Sequence, residues 1–291
     1  MEKMGKPSPC EYRRKKLYAG GTLLILVYPV FKYLSSREEI ISVEKNLRKM
    51  SERLYMIDSF RGLAIIYMVV YHAFYNVRYI FGNPFGWTVR LYPLQQAACW
   101  SFILVSGFSF SLSRKPARRG LLLTALGLLL TVVTTLLMPS ERIIWGVLNL
   151  LGAAALLTWA ACPLLERVPA GAGLAVSAAL FGLLRDVQYG YLGFEGHWLA
   201  ALPETLYRWH WLFPLGFPYE GFWSADYFPV LPWIFLYWCG FYLFRLTKGS
   251  PKCKRLLSRH IPGLCALGQH SLLIYLLHQP VIFGVMWLFL R

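Results

Sequence analysis

Residues 58–76 read DSFRGLAIIYMVVYHAFYN. Between Arg61 and Asn76 every position is apolar, aromatic or small, apart from one histidine, His72. Extended to 59–81, the run supplies the roughly 20 mostly apolar residues that a membrane-spanning helix needs. Asp58, Arg61, Met68, His72 and Asn76 follow one another at spacings of 3, 7, 4 and 4. On an α-helix those positions share one stripe. Arg61 and His72 lie about 17 Å apart along such a helix. The stripe therefore starts with a cation and carries a titratable imidazole at depth. Ionisable groups inside a span are costly and point to function.

The same kind of run recurs at 91–113, 119–138, 142–165, 169–185, 227–246 and 264–290. Turn-forming residues separate them: Asn83-Pro84, Pro116, Pro139, Pro169 and Gly249-Ser250-Pro251. Seven spans result. Apolar residues make up 57% of the 291 and charged residues 15%, against roughly 45–50% and 25% in ordinary soluble domains. With a mean hydropathy of +0.46, this excludes a disordered, collagen-like or ordinary soluble chain. Open sheets cannot satisfy their backbone in lipid, and no period-two alternation suggests a barrel. The expected fold is an all-α polytopic transmembrane bundle.

The net charge of +16 does not imply nucleic acid, because the charges fall between apolar runs, where topology places them. Sorted by alternate loops, 13 basic residues fall on the side of the Met50 end and of loops 114–119 and 245–259, and 6 on the other. That bias puts the Met50 end in the cytoplasm and the C-terminus outside. The loop 186–226 then also lies outside, and its length suggests a functional role. Its tryptophans, Trp198, Trp209, Trp211 and Trp223, suit an interfacial belt. The six cysteines show no metal-ligand or disulfide spacing, and no metal is expected. Residues 1–49 fit the scheme poorly. The segment 17–34 reads as an eighth span or a signal-like stretch, and Met50-Ser51-Glu52-Arg53 reads as a start. The domain division is thus an extension, 1–49, and a membrane domain, 50–291.

Other polar positions carry weight. In the last run Ser271 and His278 are two turns apart and share a face. Pro280 frees a carbonyl near Leu276 and suggests a kink. Alternatively His270 and His278 tie helices together. Gln95, Cys99, Ser106, Ser109 and Ser113 share a face of the second run; close helix packing explains them, and Ser106 lacks a nucleophile elbow. Asp58 fits a helix start paired with Arg61 at i,i+3. Asp226 fits the N-terminal end of the sixth span, as a cap or as a substrate contact.

The run from Arg53 through Asp58, Arg61-Gly62, His72 and Asn76, the run from Gly221 through Asp226, Tyr227, Phe228-Pro229 and Pro232-Trp233, and the run from Leu267 through His270-Ser271, Tyr275 and His278-Gln279-Pro280 together resemble the catalytic family of heparan-α-glucosaminide N-acetyltransferase, in its bacterial branch. The resemblance implies acetyl-CoA on the cytoplasmic side and an acceptor on the other. The family's lysosomal enzyme acetylates a glucosamine amine across its membrane. Two positions depart from the pattern. Bacterial relatives often carry aspartate at Asn76, and the lysosomal enzyme carries asparagine at His72, with its active-site histidine further along. No histidine lies in 77–94 here.

The expected activity is acyl transfer, N- or O-linked, from cytoplasmic acetyl-CoA to an amine or hydroxyl of a glycan or envelope acceptor, in a bacterial plasma membrane. Arg61, Arg114, Arg118 and Arg119 would draw the CoA phosphates. His72 would act as general base, with His278 or Asp226 orienting it or holding the acceptor. Asp58, Asn76, Ser106, Tyr227, Ser271 and Gln279 complete the set of orienting residues. The expected partners are the bilayer and the acceptor; nucleic acid is excluded and a homo-oligomer allowed. The rival readings are a transporter or flippase of a glycan or lipid precursor and a non-catalytic membrane scaffold.

Overall fold

Prolines and short polar turns cut the chain into helices close to where the apolar runs end. The computed structural model describes residues 54–82 and 91–290. The 1–49 extension, Arg53 and the Asn83-Pro84 turn lie outside the described residues. Helix α1 spans Tyr55–Tyr75 and continues as a π-helical turn, Asn76–Ile80, a feature common at functional sites. It is followed by α2 (Tyr92–Phe110), α3 (Pro116–Leu137), α4 (Val147–Leu165) and α5 (Ala170–Leu183). After a long connection come α6 (Val230–Thr247), α7 (Pro251–Leu257), α8 (Pro262–Gln269) and α9 (Ser271–Leu290). Proline opens α2, α3, α7 and α8, where its missing N–H costs nothing. Among the described residues five helices, α1 with its π turn, α3, α4, α6 and α9, are long and apolar enough to cross a membrane. The protein is an all-α polytopic membrane protein, with one small hairpin among the described residues.

Small residues let the helix backbones touch, as lipid-embedded packing requires. A Cβ on Gly107 would meet the Tyr237 carbonyl at 1.8 Å, and one on Gly240 the Leu104 carbonyl at 2.0 Å, locking α2 to α6. Gly120 and Gly152 do the same for α3 and α4. The run 264–290 is not one helix, as the sequence suggests, but two. A Cβ on Gly62 would meet the Leu264 carbonyl, and one on Gly268 the Asp58 carbonyl at 1.7 Å. The short α8 is pressed onto the start of α1, the chain turns at His270, and α9 sets off anew. Helix α9 runs through Pro280 without a break.

The connection between α5 and α6 carries a hairpin, β1 (Tyr191–Phe194) with β2 (His197–Ala201), absent from the sequence reading. Its two-residue turn, Glu195-Gly196, has positive φ at both positions, the geometry of a type I′ turn. Buried Arg185 pins it, bonding Glu195 at 2.9 Å and Gln96 of α2 at 3.1 Å. Arg245 donates to the carbonyls of Leu165, Glu166 and Val168 at the end of α4, which suits a cation at a helix C-terminus.

Replacing Gly268 with Leu should lower the thermal unfolding midpoint of the detergent-purified protein by the equivalent of about 1–3 kcal/mol. Gly284→Leu, where nothing lies within 4 Å, should leave it unchanged. Equal midpoints for the two variants would contradict the close α1–α8 contact.

Candidate active site

His72 and Asn76 stand one turn apart on α1, and α9 sets Gln279 and His278 against them. Asn76 Nδ2 donates to Gln279 Oε1 at 3.0 Å. Gln279 Nε2 lies 3.0 Å from His72 Nδ1. With its carbonyl turned to Asn76, Gln279 presents its N–H to the imidazole. The neutral His72 ring then uses its lone pair at Nδ1 and carries its proton on Nε2. His278 has the reverse arrangement. Its Nδ1 donates to the Tyr275 carbonyl at 2.6 Å, so its lone pair is on Nε2, which is buried and has no hydrogen-bond partner. The two ring centroids are 4.8 Å apart. One imidazole is thus set as a donor and its neighbour as an acceptor. His72 is the base expected from the sequence; of the two rings it is His278 whose lone pair has no partner in the structure.

Asp226 arrives from the other half of the chain. Two irregular segments, 140–147 and 223–228, are stitched together: Ala225 N donates to the Arg142 carbonyl and Phe228 N to that of Trp145, each at 3.0 Å, and Ile144 N donates to Ser224 Oγ at 2.9 Å. This seam holds the carboxylate beside the start of α4, where Val147 N donates to Asp226 Oδ2 at 3.3 Å. The sequence places Asp226 at the head of the sixth span. It caps α4 instead, while α6 begins after Pro229. Gly146 leaves it room, since a Cβ there would meet Oδ2 at 2.9 Å. Tyr275 OH donates to the same oxygen at 3.5 Å. Burial pushes the Asp226 carboxyl up to about 6, against a partial pull downward from the Val147 N–H and the Tyr275 hydroxyl.

A cavity of about 100 Å³ joins these groups. His72, His278, Gln279, Tyr275 and Asp226 form its polar wall. Ala64, Ile65, Met68, Ala98, Phe102 and Phe228 are among its apolar lining. Asn76 is buried behind Gln279.

Several other residues named from the sequence lie elsewhere. Arg61 bonds Asp58 at 3.0 Å and donates to Ser109 of α2. Asp58 sits in the first turn of α1, whose N-cap is Leu54. Ser106 and Arg119 line a separate cavity of about 20 Å³ with Ser113 and Tyr237. Arg114 and Arg118 are exposed. Tyr227 donates to the Phe213 carbonyl, and Ser271 starts α9; neither lines the central cavity. His270, also outside it, contacts the Ala266 carbonyl. Tyr275 and Cys99 do line it, and the sequence shows their roles only weakly, through their place on polar faces of α9 and α2. Among the described residues no three His, Cys, Asp or Glu side chains converge as a metal site.

The sequence model of the family described as heparan-alpha-glucosaminide N-acetyltransferase, catalytic, matches residues 53–280. No curated protein and no solved structure matches the chain.

The raised carboxyl of Asp226 has a consequence for stability. The folded state binds more protons than the unfolded one between the ordinary aspartate value near 4 and the folded value of about 6. This contribution is present at the acid end of that window and is lost as pH rises through it. Asp226→Asn removes the effect. The unfolding midpoint of the variant relative to wild type should therefore rise between about pH 4 and about pH 6.5. A difference that stays constant across that range would contradict the assignment.

Proposed function

The chain belongs to the heparan-alpha-glucosaminide N-acetyltransferase catalytic family, and from that premise we propose that it transfers an acetyl group from cytoplasmic acetyl-CoA to an amine or hydroxyl of a glycan-like acceptor reached from the opposite side. The observation that carries the reading is the pair of imidazoles on one cavity, His278 with an unpartnered Nε2 and His72 held by Gln279. His278 Nε2 takes the proton as the acceptor nitrogen or oxygen attacks the thioester carbonyl. The new N–C or O–C bond forms, the C–S bond breaks, and the His278 imidazolium returns its proton to the departing sulfur, so that CoA leaves as its thiol and the ring is again neutral. His72 donates from Nε2 to the oxygen that gains charge in the tetrahedral intermediate. Asp226, reached through Tyr275, holds the acceptor's donor groups.

The donor's phosphates are assigned to the basic residues at the start of α3. Arg114 and Arg118 are exposed, and Arg119 stands beside Ser106 and Ser113. Arg61 is tied to Asp58 and Ser109, so its part is to anchor α1 against α2. About 17 Å separates Arg61 from His72 along the helix, a distance an extended pantetheine arm can bridge. The loop at 245–259 contributes less than its charge suggests, because Arg245 is committed to α4 carbonyls.

The purified protein, given labelled acetyl-CoA and glucosamine as the acceptor probe, should release CoA and label the amine. His278→Ala and His72→Ala should each reduce the rate by about 10²-fold or more, with unfolding midpoints close to wild type. Full activity in either variant removes that imidazole from the chemistry, and absence of any CoA release in wild type favours a flippase. Replacing Arg118 and Arg119 together with Ala should raise KM for acetyl-CoA several-fold and leave kcat nearly unchanged; an unaltered KM contradicts the phosphate assignment.

A further inference from the structure

The central cavity has two unlike walls, and the proposed chemistry uses only one of them. Beside the imidazoles, one to two turns along α1 from His72 and across on α2, lie Ala64, Ile65, Met68, Ala98 and Phe102. Ala64, Ile65 and Ala98 are 3%, 2% and 6% exposed, so this wall is packed and its dimensions are set. A polyhydroxylated acceptor gains nothing there, since its hydroxyls would be left without partners. An acyl chain loses nothing there. An apolar cavity of about 150 Å³ takes a molecule the size of benzene, so one of about 100 Å³ takes about four carbons. The single methyl of an acetyl thioester fills little of the apolar side of that space.

We infer that this apolar wall is an acyl pocket that admits thioester chains of two to about four carbons, its length limited by the small, buried Ala64 and Ala98. The inference rests on the acyl-transfer reading and adds to it the range of donors. The thioester carbonyl lies at the imidazole pair, the chain points away from Asp226, and the acceptor approaches from the carboxylate side. The bond changes are those of acetyl transfer: the acceptor's N–C or O–C bond forms, the C–S bond breaks, the proton passes to His278 Nε2, and CoA departs. Met68, half-buried on α1, forms the pliable part of the wall, as the unbranched thioether side chain does elsewhere.

The test is equilibrium competition against radiolabelled acetyl-CoA on the full chain purified in detergent, with acetyl-CoA, butyryl-CoA and octanoyl-CoA as probes. Each methylene buried raises affinity about fourfold, so butyryl-CoA should bind at least fourfold tighter than acetyl-CoA. Octanoyl-CoA should bind at least tenfold more weakly than butyryl-CoA. Ala98→Val should lower the butyryl-to-acetyl preference fivefold or more. Met68→Ala, which opens the wall without crowding it, should raise the octanoyl-to-butyryl ratio by a similar factor and keeps the test open if the valine variant does not fold. Equal affinity at all three lengths, or tightest binding of octanoyl-CoA in wild type, overturns the chain-length limit while the acyl-transfer reading stands. Failure of every acyl-CoA to compete overturns both.

Discussion

Hydrocarbon offers a polar side chain no partner, so one carried into the bilayer bonds either its own helix backbone or a group on another helix. Three polar groups on α1 and its π turn are answered from elsewhere in the chain. Arg61 reaches Ser109 on α2, and His72 and Asn76 meet Gln279 on α9. Single interhelical bonds of this kind contribute only about 0.6 kcal/mol on average. Their larger effect is to fix register. Glycine contacts bring α1 and α8 together at backbone distance, whereas the pairs between α9 and α1 include His72 with His278 and with Gln279, and Phe283 of α9 meets Phe81 just past the π turn. The glutamine therefore sets both where α9 sits and which ring nitrogen of His72 holds the proton.

That double role gives the site its chemical asymmetry. Two neutral imidazoles side by side are redundant unless something distinguishes them. Gln279 saturates one lone pair, the Tyr275 carbonyl takes up one N–H, and what remains is a donor on one ring and an acceptor on the other, with the ring centroids 4.8 Å apart. The seam between 140–147 and 223–228 brings a carboxylate to the same cavity, with its oxygen bonded at the start of α4. On the proposed reading, α1 and α9 supply the proton chemistry while the seam supplies the acceptor contact, so the two substrates meet where separate parts of the chain come together.

Much of this was legible in the sequence because helical period and polarity suffice for it. The stripe from Asp58 to Asn76 gave the face of α1 that turns inward, and the i,i+3 spacing of Asp58 and Arg61 gave their ion pair. His278 and Gln279 stand out as polar groups in an apolar run. What stayed hidden depends on partners far away in sequence. Asp226 caps α4 across 79 residues, a pairing that no local pattern announces. The break at His270 comes two residues after Gly268, whose close fit against the Asp58 carbonyl is a contact distant in sequence. Ser106, Tyr227 and Ser271 are polar for local reasons: one lines a small separate cavity, one bonds a loop carbonyl, one begins a helix. The Glu195-Gly196 turn was readable in principle, but the flanking strands are only four and five residues long and give a weak alternating signal.

The account stands or falls on transfer through the cavity between two aqueous compartments. The direct measurement uses proteoliposomes of known orientation, with labelled acetyl-CoA outside the vesicles and glucosamine trapped within. It predicts labelled N-acetylglucosamine in the lumen of vesicles whose α3 basic end faces outward, with CoA remaining outside and no such product from the His278→Ala protein. Product made only when donor and acceptor share one compartment, or intact acetyl-CoA recovered from the lumen, would contradict it.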